Sequence, residues 1–357
     1  MNSIKAERGA SALTSADGRA TIWIGDCRVL VPRIPQAAAG TVDLVFADPP
    51  FNWNRAYDRW TTTAKKQHGA ARVVDAAAKY ETWDDGIPRE DYLTFTQEWI
   101  AACVQALRPG GALWINIPDD TAAEIVVYVK STLGLRLVNW CIWHYRFGQN
   151  RVGGFIQSKV HALYFLKPGG VPTWNAKAVL EPSDRATTYF DPRTMSKKDG
   201  MPAGMRVPMD VWYGPNWGRV QGNNTERRAG HDNQLPEAYL ERVILACSDA
   251  GGVVLDPFVG SGTTAVVAAH YGRTFVGCEY SRANALSALQ RLDEIGMVNA
   301  GKALGQSSAI FRPRRASAAA RQRTNVMAAV ESDGVAKSPR RTRSDGDAAQ
   351  PRKRAEA

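Results

Sequence analysis

Short runs of apolar, β-branched residues alternate along most of this chain with stretches of helical spacing. Residues 20–25 (ATIWIG) and 41–47 (TVDLVFA) read as strands buried on both faces. The second leads into Asp48, Pro49, Pro50 and Phe51, and two adjacent prolines cannot continue a ladder, so the strand stops there and presents Asp48 at its carboxyl end. From 89 to 107 the residues Tyr92, Phe95, Trp99, Cys103, Ala106 and Leu107 recur at intervals of three and four, one face of a helix that ends at Arg108, Pro109, Gly110 and Gly111. A strand at 112–117, a helix at 122–132 and a strand at 137–144 follow. After residue 230 the order resumes: helix 236–247, strand 252–255, a helix after Thr263, strand 274–278 and a helix near 284–295. Such alternation predicts an α/β fold around a doubly wound, mostly parallel sheet.

Three segments break the rhythm. Residues 52–88 are too long for a simple link and are predicted to form a mobile flap. Residues 145–230 hold one apolar run (160–166) among Gly, Pro, Asn and basic residues, with Trp174, Trp212 and Trp217 interspersed, the pattern of an inserted module. Beyond Gly305 the chain is Arg, Ala, Ser, Pro and Gly with few large apolar residues, which predicts a disordered basic tail. The expected organisation is therefore two halves of one domain at 20–144 and 231–300, the module at 145–230 and the tail at 305–357. The first nineteen residues are polar, with no apolar signal core, and are expected to be irregular.

Charge sharpens this picture. The chain of 357 residues carries a formal +10, yet residues 144–230 and 305–357 each carry +7 and the remainder −4. Positive charge confined to two segments favours a polyanionic partner met by both. The five cysteines are scattered, with no C-x-x-C pair and no histidine at ligand spacing, so neither disulfides nor a metal site is expected and a reducing, cytoplasmic setting is. No run is long enough to span a membrane.

Candidate chemistry sits at two strand ends. In Leu255–Thr264 (LDPFVGSGTT) a strand turns into a helix through glycines that let backbone approach a ligand. The run lacks the GK[ST] ending of a phosphate loop, and Ala265 stands where a dinucleotide fingerprint needs its third glycine. Asp256 beside the glycines suits an ammonium group, and Glu279, ending the next strand, lies where a ribose diol would. Together they match the needs of S-adenosylmethionine. A packing turn accounts for G-S-G alone far better than for the whole run.

At the other strand end, Asp48 and the Pro49 carbonyl offer two acceptors for the two N–H hydrogens of an exocyclic base amine, a poor nucleophile until its lone pair is drawn out of the ring. Phe51 can stack on a base that has left the duplex.

These motifs resemble the DNA amino-methyltransferases that act on adenine N6 or cytosine N4, and their order, with Asp48–Phe51 first and the glycine loop some two hundred residues later, is similar to the permuted beta class. The resemblance spans roughly residues 20–295. It implies a Rossmann-like class I methyltransferase fold and S-adenosylmethionine as cofactor, with catalytic residues Asp48, Pro49, Pro50 and Phe51. It implies cofactor contacts from Asp26, Asn233, Gln234, Pro236, Asp256, Pro257, Phe258, Gly260, Ser261, Gly262, Thr263 and Glu279. Gly25 and Asp26 resemble the family's Gly-Asp near the cofactor adenine, Arg108–Gly111 its helix-to-strand joint, and His231–Glu237 (HDNQLPE) its H-x-T-Q-[KL]-P-E segment, with Asn233 replacing threonine. An aspartate where cytosine-N4 members tend to have serine tilts the implied substrate to adenine. Double-stranded DNA is the implied partner, with a homodimer and a cognate restriction endonuclease as further candidates and a cytoplasmic, nucleoid-associated location.

Methylation at cytosine C5 needs a nucleophilic cysteine, typically after proline, and none of the five follows one. Sulfonium chemistry demands no metal. Of the histidines, His161 on an apolar run reads as a core residue rather than a base. Trp217, near Arg219, is a candidate for stacking on or wedging into DNA. Cytosine-N4 transfer, methylation of RNA or of a protein amide, and a non-catalytic DNA-binding protein that kept the fold stay open as alternatives.

Overall fold

The computed structural model describes residues 11–53, 85–145, 148, 152–194, 200–214, 217–220, 224, 226–228, 231 and 233–299. The predicted flap (apart from its ends) and the predicted tail lie outside the described residues, as does Asp232.

In chain order the elements are strands β1 (Ser11–Thr14) and β2 (Ala20–Ile24), short helices α1 (Cys27–Leu30) and α2 (Pro35–Ala38), strand β3 (Val42–Ala47), helix α3 (Arg89–Ala106), strand β4 (Leu107–Ile117) and helix α4 (Ala122–Val127). Strands β5 (Arg136–His144), β6 (Lys159–Leu166) and β7 (Glu181–Pro182), helix α5 (Asp184–Thr187), and strands β8 (Met205–Arg206) and β9 (Val211–Trp212) follow. Helix α6 (Glu237–Cys247), strand β10 (Val253–Asp256), helix α7 (Thr263–His270), strand β11 (Thr274–Glu279) and helix α8 (Arg282–Asn299) complete the order.

Among the described residues, nine strands form one sheet in the order β1-β2-β11-β10-β3-β4-β6-β5-β9. From β2 through β4 every neighbour is parallel, while β6 runs antiparallel to both β4 and β5. The strands are apolar on both sides because both faces are covered. Side chains alternate: Leu44 and Phe46 of β3 join one core, packed by α6, α7 and α8, whereas Val45 and Ala47 join another, packed by α1 to α4. Tyr92, Trp99, Ile100 and Cys103 are the buried stripe of α3.

Three placements differ from the sequence reading. Residues 11–14 pair with β2 through a turn at Asp17-Gly18, where Gly18 has φ +73°. Arg108–Gly111, read as the joint between helix and strand, are already part of β4, and the ladder with β3 shifts register between Val42 and Leu44. There Arg108 donates to Asp43 at 2.6 Å while Asp43 also accepts the Val253 N–H at 2.8 Å, so this pair joins β3, β4 and β10 at the edge away from Asp48. Finally, Lys159–Leu166, grouped by sequence with the inserted module, is an interior strand of the sheet. All five cysteines are buried free thiols. Among the described residues no helix is long and apolar enough to cross a membrane.

Candidate active site

Parallel strands end on a common edge, and here β2, β11, β10 and β3 deliver Asp26, Glu279, Asp256 and Asp48 to the rim of one cleft. A cavity of about 230 Å³ is lined by Asp48, Pro49, Pro50 and Phe51 together with Asp256, Pro257, Phe258, Gly260, Ser261, Thr263 and Glu279. Asp26, Asn233 and Gln234 line it too. Two stretches two hundred residues apart thus share a cavity because β3 and β10 are hydrogen-bonded neighbours.

Two predicted contact residues are not among those lining the cavity. Pro236 is the N-cap of α6 and does not line the cavity. Gly262 caps α7 at φ +77°, and a Cβ there would stand 2.7 Å from the Cβ of Ala288, so this glycine lets α7 and α8 approach closely.

The strand-end acids are held in place. Glu279 accepts the Gly260 N–H at 2.8 Å and the Ser281 N–H at 3.0 Å, which ties the glycine loop to the end of β11. Asp256 accepts the Phe258 N–H at 2.8 Å. Asp26 caps α1, accepting the Arg28 N–H at 2.9 Å, and pairs with the Arg28 guanidinium, which also reaches Glu98 at 2.7 Å.

Around Asp48 the supporting residues were not found from sequence. Asn116, on β4, donates to Asp48 at 3.0 Å and accepts from the Tyr239 hydroxyl at 2.6 Å, a relay running from α6 through the sheet to the carboxylate. Asn116 is a lone polar residue in an apolar strand, and that was the signal available. Phe51 meets Trp53 edge-on at 5.0 Å, and the Tyr92 hydroxyl donates to the Pro50 carbonyl at 2.8 Å. Asn52, at φ +56°, and Asp85 bind this turn through the Asn52 and Trp53 N–H groups. Arg219, which also lines the cavity, stacks over Tyr145 at 4.1 Å and donates to Asn233 at 2.8 Å. Trp217 packs against Trp212 and Tyr239 with Arg242 over its ring, so this wedge candidate is committed to the fold. His161 is bonded to Asp119 and to Trp140.

Burial pushes Asp48 up to about 6, against the Asn116 hydrogen bond and the Arg219 charge. Burial, with like charge from Asp48 and Glu279, pushes Asp256 up to about 7 against its Thr264 and Phe258 hydrogen bonds. A carboxyl group raised on folding binds its proton more tightly in the folded than in the unfolded chain, so stability is lost as pH rises from about 4 through these values. We expect Asp48→Asn to melt at a higher temperature than wild type, by a margin that widens from pH 5 to pH 8. A margin independent of pH in paired melting curves would refute the shift.

Among the described residues, four carboxylates and a single guanidinium line the cavity. That donor set suits a cation with hydroxyls and disfavours a polyphosphate.

The profile of the DNA methylase family matches residues 42–289, and the chain belongs to this family of N6/N4 DNA methyltransferases. It is 28% identical over 267 residues to the type II methyltransferase M.HpaI of Haemophilus parainfluenzae, covering 75% of this chain and 73% of that one. It is 27% identical over 266 residues to M.ScaI of Streptomyces caespitosus, covering 72% and 76%. Among solved structures, the PvuII DNA methyltransferase, described as cytosine-N4-specific, superposes with a TM-score of 0.52 at 14% identity, covering 79% of this chain and 92% of that one. The fold is that of class I S-adenosylmethionine-dependent DNA methyltransferases, the substrate is DNA and the cofactor is S-adenosylmethionine, a cation of the kind the acid-lined cleft suits.

Proposed function

We propose that this protein methylates the N6 amino group of adenine in double-stranded DNA, acting on a base flipped into the cleft beside Asp48. The observation that carries this reading is the Asp48 carboxylate itself, held by Asn116 and facing the cavity that the glycine loop also lines. When bound, S-adenosylmethionine supplies a methyl group on a positively charged sulfur, already activated for transfer. Glu279, Asp26 and the backbone around Gly260 would hold its ribose and adenine side, and Asp256 and Asn233 its amino-acid end.

In this scheme Asp48 and the Pro49 carbonyl accept the two amine hydrogens and turn the nitrogen lone pair toward the glycine loop. Phe51 and Trp53, which meet edge-on, line the space for the base, as do Trp143 and Arg219, the latter held by its stack over Tyr145. As the new N–C bond forms, the carbon's bond to sulfur breaks with its electron pair staying on sulfur, and the nitrogen becomes cationic and sheds one hydrogen as a proton. A carboxylate near 6 accepts that proton while remaining largely ionised at neutral pH. Arg219 keeps Asp48 from rising further.

We assign base and context reading to the parts of 145–230 outside β6. A homodimer, a cognate restriction endonuclease and residence on the cytoplasmic nucleoid belong to the same proposal, and sedimentation of the purified protein reads the first. Mass spectrometry of nucleosides from DNA incubated with the protein and cofactor is expected to reveal N6-methyladenine. N4-methylcytosine would overturn the choice of base, and unmodified DNA the reading of the cleft.

A further inference from the structure

Strands β5 and β6 carry the cleft wall outward. Their register pairs Trp143 with Val160, and both residues line the cavity. Because β6 is antiparallel to β4, with His161 opposite Ile117, the connection between β5 and β6 leaves the sheet at the same edge that presents Asp48. The Tyr145 N–H donates to the Ser158 carbonyl at 2.9 Å, which closes the base of this hairpin. Further out, a Cβ on Gly148 would stand 2.4 Å from the Gln157 carbonyl oxygen, so at this point the outgoing and returning backbone of the arm meet as closely as only glycine permits. Gly153 turns at φ +77°.

What this arm displays is out of keeping with a loop. Phe155 is 98% exposed, Val152 102% and Ile156 47%. Large apolar side chains held in water at a loop tip mark a surface that meets a partner. Residues 145–158 include Arg146 and Arg151 and no acidic residue, which suits a polyanion. DNA is already the substrate, and the arm springs from the wall of the cavity the target base must enter. A flipped base leaves an apolar gap in the stack, and an aromatic ring on a narrow arm is shaped to fill it.

We propose that Phe155, supported by Val152, is the wedge that enters the duplex at the target and occupies the place of the flipped base. The proposal rests on the reading of the cleft given above. Phe155 is then a positioning residue: it touches DNA but none of the reacting atoms.

The test uses the full-length protein. Sequencing of DNA methylated by wild type identifies the modified site, and an oligonucleotide duplex carrying that site is made in two forms, one normal and one abasic opposite the target, so that extrusion is already easy. Phe155→Ala should lower kcat/KM on the normal duplex by roughly tenfold or more, the scale of one lost base–aromatic stack. On the abasic duplex it should come within about threefold of wild type, and Phe155→Trp should retain activity on both. With 2-aminopurine at the target, the fluorescence rise on binding should be lost in Phe155→Ala alone. Unchanged activity of Phe155→Ala on the normal duplex, an equal loss on both duplexes, or a loss explained by altered oligomeric state or melting temperature would overturn the wedge. A wild type that leaves all DNA unmodified would instead sink the reading of the cleft, and the wedge with it.

Discussion

Asp48→Ala is expected to reduce methyl transfer to DNA by roughly a thousandfold or more, the scale at which losing a positioned acceptor and its charge acts on a transition state. Affinity for S-adenosylmethionine should stay within a few-fold of wild type. The split follows from geometry: Asp48 ends β3 and takes its hydrogen bond from Asn116 on β4, whereas Glu279, Asp256 and the glycine loop belong to β10, β11 and the turns after them. Removing the Asp48 carboxylate frees Asn116, which keeps its bond from Tyr239, and also removes a like charge from beside Asp256. Both changes leave the cofactor side folded. Methyl transfer measured with labelled cofactor, alongside calorimetry of cofactor binding, reads the two quantities separately. A variant still near wild-type rate would end the assignment of Asp48.

The second large effect lies behind the glycine loop. Arg291, on α8 and 1% exposed, pairs with Glu237 at 2.6 Å and donates to the Ser261 carbonyl at 3.1 Å and the Thr263 hydroxyl at 2.9 Å. One buried guanidinium thus ties α8 to the start of α6 and to the loop that lines the cleft. Arg291→Met should cost about 3–5 kcal/mol of stability, because it strands the Glu237 carboxylate in a buried setting. It should also weaken cofactor binding, since Ser261 and Thr263 lose the group that fixes them. Adding Glu237→Leu removes the stranded charge and should recover most of the stability without restoring affinity. Denaturant unfolding of the two variants, with cofactor titration, separates the effects; a double variant no more stable than Arg291→Met would refute the account.

Much of this was legible in residue order. The strands that deliver Asp48, Asp256 and Glu279 are unbroken apolar runs, and the elements that end them, a proline pair and a glycine loop, are local signals. Residues whose roles depend on distant partners were harder to see. Asn116 matters because Tyr239, in a helix made much later, holds its other end. Arg219 faces the cleft through its stack on Tyr145. Trp217 is packed because Trp212 lies on a two-residue strand paired with β5, and nothing in a Trp-Gly-Arg sequence announces that neighbour. The edge strand β1 escaped notice because Ser11–Thr14 is mostly exposed, with only the Asp17-Gly18 turn to mark it. The helix contact that Gly262 permits was also hidden, since only the position of Ala288 reveals it.

The strand order also governs how this molecule comes off the ribosome. β2 and β3 emerge early, but in the finished sheet they are not neighbours: β11 and β10, which follow β3 by some two hundred residues, sit between them. A nascent chain therefore holds a two-strand slot open until residue 279 has been made, with unpaired edges on either side. Premature termination anywhere before residue 279 leaves that slot incompletely filled, so cofactor capture reports on translation through β11 and truncated products are predisposed to aggregate.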